Sequence, residues 1–156
     1  MPGSGSVLYA SDTPAVAYVS EGTDEAGFTS TTHIPGTTQV GCTFTAPTSG
    51  IVTVLWGARV QSNTASRSVT VTVEVREGAT IGAGTVVSAA SDDSAIETPQ
   101  DATGGATTRI QASRHRTVTG LTPGMPYNVR TLHRMFGGAG NGNIYLRDIT
   151  VQPAVN

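Results

Sequence analysis

The ten residues Ser68-Val69-Thr70-Val71-Thr72-Val73-Glu74-Val75-Arg76-Glu77 constrain the fold more than any other stretch. Valine holds every second position through Val75, with Thr, Thr, Glu and Arg between or after. Successive side chains of an extended strand point to opposite faces, so this spacing gathers the valines on one side and polar groups on the other. β-branched side chains also favour that pleated surface over a helix. The valine face needs a covering layer, and the polar face is expected to meet water or a partner, as in an antiparallel sheet.

Composition points the same way. A chain of 156 residues fits one domain and can bury a core. Its aromatics are few, one Trp, four Tyr and three Phe, while Val, Ala, Thr and Gly are heavily used. No window carries a 3.6-residue apolar pattern with helix caps. The expected class is all-β, an antiparallel β-sandwich or jelly roll of about eight short strands with no long helices. Every basic residue is Arg, for which a GC-rich coding genome is a simpler cause than selection for guanidinium chemistry. A net charge of −2 gives no basis for nucleic-acid binding, which needs a basic patch. Cys42 is the single cysteine, so no disulfide framework is available within one chain. The N-terminal stretch shows neither the basic segment nor the apolar run of a signal peptide, and no transmembrane span is expected.

Two regions follow from patterning. Residues 1–36 form an expected arm and loop. It opens on Met1-Pro2-Gly3-Ser4-Gly5-Ser6 and holds two apolar segments, Val7–Ala10 and Ala15–Val19, short enough to be edge strands. Within it, Glu21 to Gly36 is polar, is broken by Gly22, Gly27 and Pro35, and reads as loop. Residues 37–156 form the expected sandwich. Val40, Cys42, Phe44 and Ala46 share one strand face, and Pro47-Thr48-Ser49-Gly50 marks a turn. Ile51 to Val60 is a nearly continuous apolar run, expected to be covered on both faces. Ser62 to Ser66 reads as a hairpin loop, Ser91 to Ala106 as loop, and Thr107 to Thr119 as strand. Gly137 to Asn143 reads as a hairpin tip before a last strand, Ile144 to Val151.

Chemistry-bearing residues are present, but none forms a recognisable constellation. Asp92-Asp93 with Glu97 lacks the alternating oxygen ligands and central Gly of a calcium loop, so a solvated loop is the simpler reading. His33, His115 and His133 show no metal-ligand spacing. His133 shares a face with Tyr127, Val129 and Met135, which suits a half-buried, hydrogen-bonded histidine or one at a subunit contact. Cys42 alternates with Val40 and Phe44, the pattern of a small buried hydrophobe and not of a nucleophile. Gly137–Asn143 is followed by no Gly-Lys-Ser/Thr and no helix, so it is not a phosphate loop. Gly3-Ser4-Gly5 lacks the strand-to-helix context of a serine elbow. Arg114, Arg116, Arg130 and Arg134 could gather into an anion patch, though a solvated or interface-rim face accounts for them as well. The expectation is no catalytic residue, no cofactor and no metal. The stretch Leu121-Thr122-Pro123-Gly124-Met125-Pro126-Tyr127 has more content. A tyrosine opening a strand after such a turn, six residues past a leucine, resembles the tyrosine corner of immunoglobulin-like sandwiches, where the phenol bonds a backbone group of the connection.

A wider resemblance rests on four runs: Val40-Gly41-Cys42-Thr43-Phe44-Thr45-Ala46-Pro47-Thr48-Ser49-Gly50-Ile51-Val52, then Trp56 to Ala65, then Val75-Arg76-Glu77-Gly78, then Gly120-Leu121-Thr122-Pro123-Gly124. Together they resemble the small β-sandwich structural proteins of tailed phages infecting actinobacteria, which serve as capsid decoration, minor capsid or minor tail proteins. The opening Phe-Thr-Ala-Pro-x-x-Gly is also similar to trimeric jelly rolls of the tumour-necrosis-factor kind. The likeness covers residues 38–152 and brings no catalytic residues with it. It implies a virion structural protein that decorates the outer capsid surface as a homotrimer, with the major capsid protein and itself as partners. It implies no contact with nucleic acid or membrane, and synthesis in the host cytoplasm. A carbohydrate- or receptor-binding module on a tail is the alternative, with Tyr9, Tyr18 and Tyr145 as candidate sugar platforms. The Thr-rich strand faces and residues 1–36 are the expected contact surfaces.

Overall fold

A computed structural model describes residues 16–100 and 109–154. The expected segment Val7–Ala10 and the glycines of the first six residues lie outside them. In chain order the strands are β1 (Ala17–Glu21), β2 (Glu25–Phe28), β3 (Gly41–Thr45), β4 (Val52–Ser62), β5 (Ser68–Glu77), β6 (Val86–Ser88), β7 (Ile96–Glu97), β8 (Arg109–Val118), β9 (Pro126–Phe136) and β10 (Gly142–Pro153). One 3₁₀ turn, Asp92–Ser94, precedes β7. Two antiparallel five-stranded sheets form a sandwich. Sheet A runs β1-β10-β4-β8 with β2 also on β10, and sheet B runs β3-β9-β5-β6 with β7 also on β5. The fold is the expected all-β sandwich.

The valines perform as their spacing demands. Val69, Val71, Val73 and Val75 are fully buried against Val52, Val54, Trp56, Ala58 and Val60 of the opposite sheet. Each such side chain contributes about 1.5–3 kcal/mol through removal from water. The Trp56 indole N–H reaches across to the Val71 carbonyl at 3.4 Å, tying the layers together.

The polar face of β5 departs from expectation. Thr70 and Thr72 are fully buried and Glu74 is 7% exposed. The chain folds back over this face. Ser30, Ile34 and Val40 bond β9 through Met135 N–H, His133 and Thr131 N–H, continuing the line of β3. The Gly78–Gly84 turn docks on Asn128, whose amide donates to the Gly78 and Ala83 carbonyls while its oxygen accepts from Gly82 N–H. Glu74 is buried with its carboxylate paired to both Arg76 and Arg130. Conversely, β4 was expected to be covered twice but is covered once. Thr53 and Leu55 are half-buried and Arg59 is exposed on its outward side.

Two connections expected as hairpins instead cross between sheets. Ser62–Ser66 leads from β4 in sheet A to β5 in sheet B, and Gly137–Asn143 leads from β9 in sheet B to β10 in sheet A, so neither closes a hairpin. Asn63 N–H bonds the Asn141 carbonyl, so the two crossings brace each other. The crossing from β8 to β9 is the expected tyrosine corner. The Tyr127 hydroxyl accepts from Thr122 N–H at 3.0 Å, as the sequence predicts. Gly50 secures the same corner: its φ of +65° suits glycine, and a Cβ there would meet the Leu121 carbonyl oxygen at 2.5 Å.

The polar stretch Glu21–Gly36 is more than loop. It contains β2, which pairs with the start of β10. Deleting residues 1–36 would therefore remove two strands together with the carboxylate that neutralises a buried arginine, described next.

Candidate functional site: the open face of sheet A

Between the two sheets the described residues include a buried polar cluster of Arg147, Glu25 and His133. A bulge in β10 between Ile144 and Leu146 shifts the alternation so that Arg147 turns inward opposite Ala58. Arg147 is fully buried, and its Nη1 donates to Glu25 Oε2 at 3.2 Å. Glu25 also accepts from Thr37 N–H. His133 lies 3.6 Å from Glu25 and packs edge-on against Phe28 with ring centroids 4.4 Å apart. Expected to be half-buried and hydrogen-bonded, His133 is instead wholly buried, and neither ring nitrogen has a hydrogen-bond partner. Burial pushes its pKa down to about 4, so the ring is neutral near pH 7. This cluster closes around itself with no opening to substrate, and it binds β2 to both sheets.

Most of the remaining candidates are spent on architecture. Asp92 is no solvated loop residue: it accepts from Arg134 and lies 3.3 Å from His33, and the Arg134 guanidinium holds its carboxyl below the usual range. Glu97 accepts from the Ser68 hydroxyl, while Asp93 is exposed. Burial pushes the half-buried Cys42 thiol up to about 11, far from a nucleophile's range. The four arginines do not gather into a patch. Arg130 and Arg134 sit on β9 in ion pairs. Arg116 on β8 spans the open side of the sandwich to Ser88, Ser94 and the Ala89 carbonyl. Arg114 is exposed. No three His, Cys, Asp or Glu side chains among the described residues are arranged to hold a metal ion.

What remains open is the outward face of sheet A. Register sets its rows. Tyr18, Thr150, Leu55 and His115 lie side by side across four strands, and Ser20, Asp148, Gly57 and Ser113 form the next row. The Asp148 carboxylate covers Gly57 so closely that a Cβ there would meet its oxygen at 2.5 Å. Leu146 and Arg59 follow. At the far end the Tyr145 hydroxyl donates to Gln61 at 2.6 Å and accepts from Asn143, and the Arg109 guanidinium lies 3.9 Å from the Tyr145 ring centroid. Arg109 also donates to Gln61. The face is thus flat and mixed, with half-buried Leu55 and Leu146 among polar neighbours and Tyr18 64% exposed at its edge. Such a surface can dock a partner but offers no converging groups for bond chemistry. This set is not readable from sequence, because it depends on which strands pair and on the bulge beside Tyr145.

No protein-family model and no curated protein matches the sequence. Solved structures do. A chain of infectious bursal disease virus, Gx strain, superimposes with a TM-score of 0.50 at 14% identity, over 93% of this chain and 34% of the viral one. This chain thus spans about a third of that viral chain's length. A xylan-binding domain from Paenibacillus barcinonensis gives 0.38 at 9% identity, over 88% and 87% of the two chains. A carbohydrate-binding module of a Cellvibrio mixtus lichenase, in complex with cellotriose, gives 0.32 at 18% identity, over 94% and 95%. At such identities the viral match is one of sandwich fold, and the other two are too distant to bear on fold or ligand.

Proposed function

We propose that this protein is a virion structural protein that binds the outer surface of a tailed-phage capsid as a homo-oligomer of three copies and stabilises the shell. It works by binding, without turnover. One observation carries the reading: sheet B is roofed by its own loops and ion pairs, whereas sheet A presents a bare face with Leu55 and Leu146 half-exposed. The ionisable residues inside the sandwich serve the fold, so the chain's unused capacity for contact lies outside it. Repeated copies on a symmetric shell turn modest contacts into firm attachment through effective concentration. The test is co-sedimentation with capsids assembled without the protein. Leu55→Asp and Leu146→Asp should each abolish sedimentation while leaving thermal unfolding nearly unchanged, and wild-type binding by both would refute the role of this face.

Tyr18 supports a second reading, a tail-borne carbohydrate- or receptor-binding module, because its ring stands exposed beside this face. Tyr145 is less suited, since the Arg109 guanidinium already covers its ring, and Trp56 is buried. Binding of host cell-wall glycans that is lost in Tyr18→Ala would favour that reading over the first.

A further inference from the structure

The two edges of sheet A differ in charge and run in opposite directions. Among the described residues, β8 has a sheet neighbour on one side only, β4, and so leaves a ten-residue edge unpaired. It carries His115 and no acid, and with Arg109, Arg114 and Arg116 it holds three of the chain's nine arginines. The opposite edge among the described residues is β1, whose one charged residue is Glu21, followed by Asp24. The two most exposed large apolar residues described, Val16 and Tyr18, also lie on or beside β1, at 56% and 64% exposure.

Topology adds a constraint. Along β1-β10-β4-β8 every neighbour is antiparallel, so the two edge strands run in opposite directions. A second copy in the same orientation therefore brings its β1 antiparallel to β8 of the first. That is a head-to-tail contact, and head-to-tail contacts close into rings when the rotation permits. Pairing β8 with a second β8 would instead set Arg against Arg.

We infer that copies of this chain join by adding β1 of one to β8 of the next, continuing sheet A across the interface. The inference rests on the homo-oligomer reading above and names its surface. With the rows kept level, Arg114 falls beside Val19 of the next copy and one diagonal step from its Glu21, within reach of long side chains. The same alternation sets Ala112 level with Glu21 and turns Ala112 and Arg114 to the inward side of the sheet, shared by Trp56 and Ala58. Arg116 stays with its own Ser88 and Ser94.

The experiment is native mass measurement across a concentration series for four proteins: wild type, Glu21→Arg, Arg114→Glu and the double exchange. Thermal unfolding confirms that each is folded. Wild type should form a closed ring, each single variant should weaken association about tenfold or more through like charges at the joint, and the double exchange should restore it. An oligomer indifferent to both single changes, or not restored by the double one, overturns edge pairing and leaves homo-oligomerisation standing. Tighter association in Arg114→Glu overturns it in favour of β8 meeting β8. A wild type that stays monomeric at every concentration overturns this inference and the homo-oligomer reading together.

Discussion

The outward faces of the two sheets look alike in sequence and have opposite fates. On sheet B, Thr70, Thr72, Glu74, Leu132 and Arg134 alternate with core residues as a solvent-facing row would, yet the first four are nearly or fully buried beneath the chain's own loops. On sheet A, Leu55 and Leu146 interrupt a polar row and remain half-exposed. Threonine is tolerant, since its methyl accepts a roof and its hydroxyl accepts water. Alternation shows which residues share a face and says nothing about what that face will meet. One face is finished within the protomer and the other is left for a partner.

Substitutions can break this contrast or sharpen it. The largest effect comes from removing a group that serves both sheets. Glu25→Gln leaves Arg147 buried without a counter-charge and should cost about 3–5 kcal/mol in urea unfolding. The direct comparison is next. Leu132→Ala, under the roof at 4% exposure, should cost about 2–5 kcal/mol, whereas Leu55→Ala on the open face should cost no more than about 1 kcal/mol. Equal losses would show that sheet A is covered in solution too.

Acid probes both sides of sheet B. His133 inside has its pKa depressed to about 4 by burial, and His33 in the roof is also lowered, chiefly by burial. An unfolded histidine titrates near 6.5, so below that value the unfolded chain binds more protons than the folded one. Stability should therefore fall as pH drops from about 6.5 to about 4. Urea midpoints across that range should decline in wild type and decline less in His133→Gln. A flat wild-type profile would mean that neither ring is held neutral by the fold. Smallest is the corner: Tyr127→Phe removes one hydrogen bond to Thr122 N–H and should cost about 1 kcal/mol by thermal unfolding.

Strands, turns and the tyrosine corner were legible because each rests on neighbours in sequence. Val69 to Val75 declare a strand, Pro47 to Gly50 a turn, and Leu121 to Tyr127 a corner. What sequence hid was assignment to a sheet. Gly137–Asn143 has hairpin chemistry but crosses the sandwich, since glycine freedom serves either path. The Glu25–Arg147 pair was hidden for two reasons. Its members are far apart in the chain, and a bulge reverses the side on which Arg147 projects. The open face inherits both difficulties, because its rows draw on β1, β10, β4 and β8.

The account stands on sheet A being the working surface. Hydroxyl-radical footprinting of the free protein and of the protein bound to capsid tests that directly. Tyr18, Leu55, His115 and Leu146 should lose reactivity on binding while Met125, half-exposed at the tyrosine corner, keeps its own. Protection at Met125 with the four sheet A residues unchanged would contradict the account.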